Sequence, residues 1–303
     1  MSSTVDNKAI PLVSVAVITY NQKHYLEECI NSILSQDYPN IEIVIADDAS
    51  TDGTHAMLDQ FCQQYPDKFV IKISPANRGI TANTNLAYFA CKGKYIAWTG
   101  GDDLMLPGKI SKQVEFMEAN PDCAICYHNL EVFDSESKQV IKLFNSFYNA
   151  HQGDIRTSII HGTFNGACSN MVRAEMAPES GCNETLPVAS DWLFWVDCLA
   201  GGGKIKYINS ILGRYRRHKN NATNVSGGIA RYKIDHLNAC NLMLAKYPAF
   251  AREILIAYAR NLFALRKQLP YFLTVWTCFR IHPDLKNMCG LFVHIITLGR
   301  MRL

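Results

Sequence analysis

Apolar positions in the first 120 residues switch repeatedly between two periods. Residues 13–18 form an apolar run rich in β-branched side chains, the pattern of a strand buried on both faces. Residues 22–35 then place Tyr25, Leu26, Cys29, Ile30, Ile33 and Leu34 on one helical stripe. The alternation continues with strands predicted at 41–46, 69–73 and 95–98 and helices at 52–65, 80–91 and 108–119. This order predicts an α/β fold, with a mostly parallel central sheet, right-handed crossovers and flanking helices.

Beyond residue 120 the pattern loosens. Strands are expected at 124–133 and 139–144, with a hairpin around Asp134–Ser137, and at 165–172, 205–208 and 211–215. A short helix is expected at 153–162. A second, at 192–199, has Ser190 as a plausible N-cap and ends at Gly201-Gly202-Gly203. After Gly227-Gly228 the residues 229–303 read as three or four helices, so a boundary is placed between 226 and 227. No internal repeat or low-complexity tract interrupts the chain.

A length of 303 residues, 48 % hydrophobic and 19 % charged, suffices for a substantial core and excludes a disordered or fibrous chain. The net charge of +3 is small and no long basic stripe occurs, so nothing calls for nucleic acid as a partner. The segment Met1–Lys8 lacks the basic and apolar regions of a signal peptide. The eleven cysteines are therefore read as reduced, buried thiols of a cytoplasmic protein. Cys123 and Cys126 have CxxC spacing, but no second pair completes a four-ligand zinc set. A redox CxxC would open a helix, whereas this one sits in a strand. No apolar run reaches the roughly 20 residues of a membrane span.

In open parallel sheets, ligands bind beyond the carboxyl ends of the strands. The residues there are Thr19-Tyr20-Asn21, Asp47-Asp48-Ala49-Ser50, Asn77-Arg78-Gly79 and Gly100-Gly101-Asp102-Asp103. Two of these four edges carry adjacent aspartates, a concentration of negative charge that is costly unless a cation or a donor array offsets it. No GxGxxG follows the first strand and no P-loop is present, which disfavours a dinucleotide-dependent oxidoreductase.

These edge motifs resemble family 2 glycosyltransferases of the GT-A fold. The match extends through Pro107, Ser190-Asp191-Trp192 and Tyr215-Arg216-Arg217-His218 and covers roughly residues 11–220. The resemblance implies a GT-A catalytic domain over 1–226, with a nucleotide-sugar half at about 11–120 and an acceptor half at about 121–226, followed by a helical region at 227–303. It implies an inverting, metal-dependent transfer of a sugar from a nucleotide diphosphate, with a UDP-sugar as the donor, to a hydroxyl of a glycan or lipid-linked acceptor. Thr19, Tyr20, Asn21, Asp47, Asp48, Arg78 and Asp102 would bind the nucleotide. Asp102, Asp103 and His218 would hold Mg²⁺ or Mn²⁺. Asp191 would be the general base, its carboxylate kept ionised by the helix N-terminus.

Each residue also has a plainer reading. Asp47 and Asp48 could cap the helix at 52, Thr19 and Tyr20 could be ordinary strand ends, Asp102-Asp103 a solvated turn, His218 a structural histidine and Asp191 a first-turn aspartate. Arg216 and Arg217 could instead neutralise the departing diphosphate. The chain departs from the family's Asp-x-Asp pattern, because Gly100 occupies the first acidic place and Ser190 stands where many members have Glu. The departure at Gly100 supports an alternative: a non-catalytic nucleotide-sugar-binding or scaffold subunit. The basic, aromatic-rich C-terminal helices point to a peripheral contact with the inner face of the cell membrane, or to a homodimer contact through 229–303.

Overall fold

The structure is a computed structural model that describes residues 10–145, 150–221 and 231–297. The boundary expected at 226/227 lies outside the described residues, as do Met1–Lys8.

The first half follows the alternation closely. β1 (Val13–Thr19), α1 (Lys23–Leu34), β2 (Ile41–Asp47), α2 (Thr54–Gln64), β3 (Phe69–Ile73), α3 (Ile80–Tyr88) and β4 (Tyr95–Gly100) succeed one another. β1 pairs in parallel with both β2 and β4, and β2 with β3. Alternate residues of β1 feed opposite layers: Val13, Val15 and Val17 pack under α1 and α2, while Ala16 faces the layer that contains Trp98 and Trp195.

The second half is mixed. β5 (Leu104–Met105), α4 (Lys109–Ala119), β6 (Cys123–Asp134), β7 (Val140–Leu143), α5 (Ile155–His161), β8 (Met171–Arg173), α6 (Asp191–Leu199) and β9 (Lys204–Arg217) complete one sheet in the order β3-β2-β1-β4-β8-β6-β9-β5, with β7 on β6. β6 and β7 form the expected antiparallel hairpin. β8 runs antiparallel to both β4 and β6.

Three expectations change. Residues 165–172 are not one strand but a 3-10 turn at Ala167–Ser169 followed by the short β8. The amide of Asn170 donates to the Gly166 carbonyl and the Ser169 hydroxyl bonds the same oxygen, so local side chains curl the backbone. The two strands expected at 205–208 and 211–215 are the single β9, because parallel pairing with β6 continues through register shifts near His128–Leu130. β5 went unforeseen; two residues are too few to show a period, and its pairing with Met105 opposite Gly213 is set by β9.

α7 (Arg231–Lys246), α8 (Ala251–Ala264), α9 (Tyr271–Ile281) and α10 (Leu285–Ile296) follow. Ala239, Cys240 and Met243 of α7 and Ile254 and Ala257 of α8 join the main core around Trp192. α9 and the far end of α8 build a small core of their own around Phe263, Tyr271 and Val275. All eleven cysteines are unpaired; most are buried, but Cys62 and Cys91 are only half-buried and Cys289 is exposed.

Gly93, in the turn before β4, sits where backbone crowds on every side. A Cβ there would lie 2.5 Å from the Ser14 nitrogen and 2.7 Å from the Tyr95 oxygen. The Gly93 N–H donates to Ser14 Oγ, so the turn cannot back away freely. Gly93→Ala is therefore expected to destabilise the protein by about 2–3 kcal/mol in chemical denaturation, from overpacking alone.

Candidate active site

A cavity of about 490 Å³ opens at the carboxyl ends of β1, β2 and β4, within the range of ligand-binding clefts. Thr19, Tyr20, Asp48, Asp102, Asp103 and Asp191 all line it. Asn21, Asp47, Arg78 and His218 do not.

Those four residues stand one step back. Asn21 takes a left-handed φ of 50° and its side-chain oxygen accepts the Thr51 N–H, which locks the turn after β1. The Asp47 carboxylate is buried; Oδ1 accepts the Ser50 N–H and lies 2.8 Å from His55 Nε2, while Oδ2 has no hydrogen-bond partner. The Arg78 guanidinium turns outward to Glu184. Its backbone N–H and that of Gly79 each donate to the Asp48 carboxylate at 2.8 Å, so Asp48 carries the loop that walls the cavity.

Asp102 and Asp103 point different ways. Asp102 Oδ2 is 2.9 Å from His218 Nε2 and accepts the Asn221 amide at 3.2 Å. Asp103 is buried, its Oδ1 accepting the backbone N–H of Arg216. Burial and the neighbouring Asp102 charge push the Asp103 carboxyl well above the usual carboxylate range. A Cβ at position 100 would lie 2.6 Å from Asp102 Oδ1. The glycine is thus the residue that lets the Asp102 carboxylate fold back over the end of β4.

Among the described residues no group of three or more His, Cys, Asp or Glu side chains is placed to hold a metal ion, but Asp102 and His218 bring two donors together. Two neighbouring ligands of an octahedral ion bound at 2.0–2.1 Å stand about 3 Å apart. The separation of Asp102 Oδ2 and His218 Nε2 matches that value, so an ion could replace the hydrogen bond between them without moving either side chain far. His218 is held by stacking on Tyr25 at 4.8 Å.

Arg216 does not serve as a diphosphate clamp. Its side chain is fully buried, Nε donates to the Asp102 carbonyl and one terminal nitrogen pairs with Glu28 at 2.7 Å. The guanidinium is sandwiched between the rings of Tyr25 and Phe133. Arg217 lies half-buried by the Tyr215 ring and does not line the cavity.

Asp191 begins α6, a helix that is apolar apart from Asp191 itself and Asp197. Trp192, Phe194 and Trp195 are buried, and Phe194 and Trp195 meet Trp98 of β4 edge-on. That packing fixes the helix and leaves its first residue at the cavity wall. Ser190 occupies the N-cap position, but its hydroxyl accepts from Thr81 and caps nothing. The Asp191 carboxylate instead accepts the Trp192 N–H. The helix N-terminus does not keep its affinity for protons low; desolvation outweighs it and pushes the carboxyl up to about 6.

Several lining residues had no linear signal. Thr19 Oγ1, Asn83 Oδ1 and the indole nitrogens of Trp98 and Trp195 are buried without hydrogen-bond partners, and all four residues line the cavity. Asn83 could have been noticed as an amide on the buried stripe of α3. Glu28 could not, because its partner lies 188 residues away.

The sequence profile described as glycosyl transferase family 2 matches residues 14–175. The chain belongs to this family. The putative teichuronic acid biosynthesis glycosyltransferase TuaG of Bacillus subtilis is 27 % identical over 206 residues, 68 % of this chain and 79 % of TuaG. The first curated relatives that it matches are longer, and the chain spans 59–65 % of their length. Among solved structures, S. aureus TarS 1-349 in complex with UDP-GlcNAc superposes with a TM-score of 0.67 at 15 % identity, over 96 % of this chain and 93 % of that one. The mannosyltransferase PcManGT from Pyrobaculum calidifontis, in complex with GDP-Man and Mn²⁺, gives 0.64 at 19 % identity, over 97 % and 82 %. At these identities the likeness establishes the GT-A fold.

Removing Glu28 would leave the buried Arg216 charge unpaired. Glu28→Ala is expected to lower unfolding free energy by about 2–3 kcal/mol, less than a wholly buried pair would lose because the Glu28 side chain is 35 % exposed. Urea denaturation of the two proteins measures the difference.

Proposed function

We propose that this chain is an inverting glycosyltransferase. In this reading it moves a sugar from a nucleoside diphosphate, UDP being the donor nucleotide, to a hydroxyl of a glycan or lipid-linked acceptor of surface polysaccharide synthesis. Mg²⁺ or Mn²⁺ assists. Family membership supports transfer, and the names of TuaG and of the TarS complex support the substrate classes.

One observation carries the metal dependence. The cavity is lined by Asp48, Asp102, Asp103 and Asp191 and, among the described residues, by no lysine or arginine. A diphosphate would find no cationic side chain there to balance it, so a cation would enter with it. Asp102 and His218 would hold the ion, which when bound supplies the positive charge that offsets the leaving diphosphate. Gly100 ceases to favour a non-catalytic binding module, because the Asp102 carboxylate occupies the space that an acidic side chain there would claim.

The chain's own residues do the rest. Thr19, Tyr20 and the Asp48-held loop receive the nucleoside, with Asp47, Asn21 and Arg78 shaping the loop from behind. Asn83, Trp98 and Trp195 line the same cavity and would bound the sugar. Asp191, on the far wall, takes the acceptor's proton as its oxygen attacks the anomeric carbon opposite the diphosphate, which inverts the configuration. The donor half is then about 11–120 and the acceptor half about 121–226.

Asp191→Asn is expected to slow transfer by about 10²–10⁴-fold while UDP binding, followed by calorimetry, survives. Retained full activity would remove Asp191 from this role. With a carboxyl that titrates at about 6, the wild-type rate should fall as pH drops below 6, where the base is protonated, and level off above it. Chelation with EDTA, or Asp102→Asn, should abolish UDP binding and turnover together. Binding that is indifferent to EDTA would overturn the metal assignment.

A further inference from the structure

α9 and α10 leave an apolar face turned to solvent. On α9 the inward positions are Tyr271, Thr274, Val275 and Cys278, while Phe272, Leu273 and Trp276 point out. α10 is inverted relative to an ordinary surface helix. Its buried residues are Asn287 and Gly290, and its exposed ones include Leu285, Met288, Phe292, Ile295 and Ile296, with Leu285 76 % and Phe292 66 % accessible. Leu291 is the α10 side chain that packs on the small core between α8 and α9, while these others face away from it. Contiguous apolar surface of this kind marks an interaction site.

Charge selects the occupant. From Ile254 to Leu303 the chain carries Arg260, Arg266, Lys267, Arg280, Lys286, Arg300 and Arg302, and Asp284 is the sole carboxylate. Lys267, Arg280 and Lys286 are exposed on the same helices and the loop before them. A two-fold contact with a second copy would set this cationic rim against itself. An anionic surface with an apolar interior complements both features at once. Among the described residues no helix is long and apolar enough to cross a membrane, so contact would be lateral.

We infer that the α9–α10 face docks on the interfacial region of an anionic phospholipid bilayer. Phe272, Trp276, Phe292 and Ile296 enter the boundary between headgroups and acyl chains, and Lys267, Arg280 and Lys286 reach the phosphates. The inference concerns a surface outside the cavity and does not depend on the reaction assigned to it.

The test is flotation of the full chain with phosphatidylcholine vesicles that contain or lack phosphatidylglycerol. Binding is expected only with phosphatidylglycerol and should weaken as salt rises. Phe292→Ser with Ile295→Ser and Ile296→Ser, and separately Lys267→Glu with Arg280→Glu and Lys286→Glu, should each reduce partitioning roughly tenfold or more. These positions are exposed, and unchanged circular dichroism and UDP affinity would show that the variants remain folded. No flotation of the wild type, or flotation indifferent to both variant sets, overturns the inference. So does a dimer in analytical ultracentrifugation that the serine variants dissociate, since that assigns the face to a second copy.

Discussion

The site depends on the bond between two chain segments that meet more than a hundred residues apart. The turn after β4 presents Asp102 and Asp103, and the end of β9 presents Arg216 and His218. Asp103 accepts the Arg216 backbone N–H, the Arg216 guanidinium grips the Asp102 carbonyl, and His218 meets the Asp102 carboxylate. Each contact holds the next, so the turn has little freedom to relax away from the cavity. Glu28 neutralises the guanidinium from α1, which lets a full positive charge stay buried.

That arrangement explains why the arginine nearest the site is not available to a ligand. Although one terminal nitrogen of Arg216 has no hydrogen-bond partner, the guanidinium is wholly buried between Tyr25 and Phe133 and cannot reach a ligand in the cavity. The cavity is therefore acidic by construction, with four aspartates facing it. In the proposed function, the positive charge that balances an anionic donor would come from an ion at Asp102 and His218. On the opposite wall, the Trp98, Phe194 and Trp195 cluster holds α6 rigidly and keeps Asp191 poorly solvated. The raised proton affinity of Asp191 follows from apolar packing of its own helix, and its proximity to the helix N-terminus is the weaker influence.

The C-terminal helices divide in the same way between two solvents. α7 and α8 contribute to the main core, whereas α10 buries Asn287 and Gly290, packs Leu291 on the small core and leaves Leu285, Met288, Phe292, Ile295 and Ile296 exposed. A helix patterned like that is adapted to an exterior that is not water.

The strand–helix order from β1 to β4, the position of the aspartates beyond the strand ends and the helix at 192–199 were all legible in the sequence. Each is written in a local period or a short motif, and burying one face of each element satisfies the pattern in only one way. The tertiary structure alone decided which aspartate faces a ligand, that Arg216 is a buried tie, that β9 runs unbroken beside β6 and that β8 enters antiparallel. Those outcomes turn on hydrogen bonds and pairings between residues such as Glu28 and Arg216, 188 positions apart. Local periodicity says which face of an element is buried; it carries no record of the distant group that each polar side chain meets there.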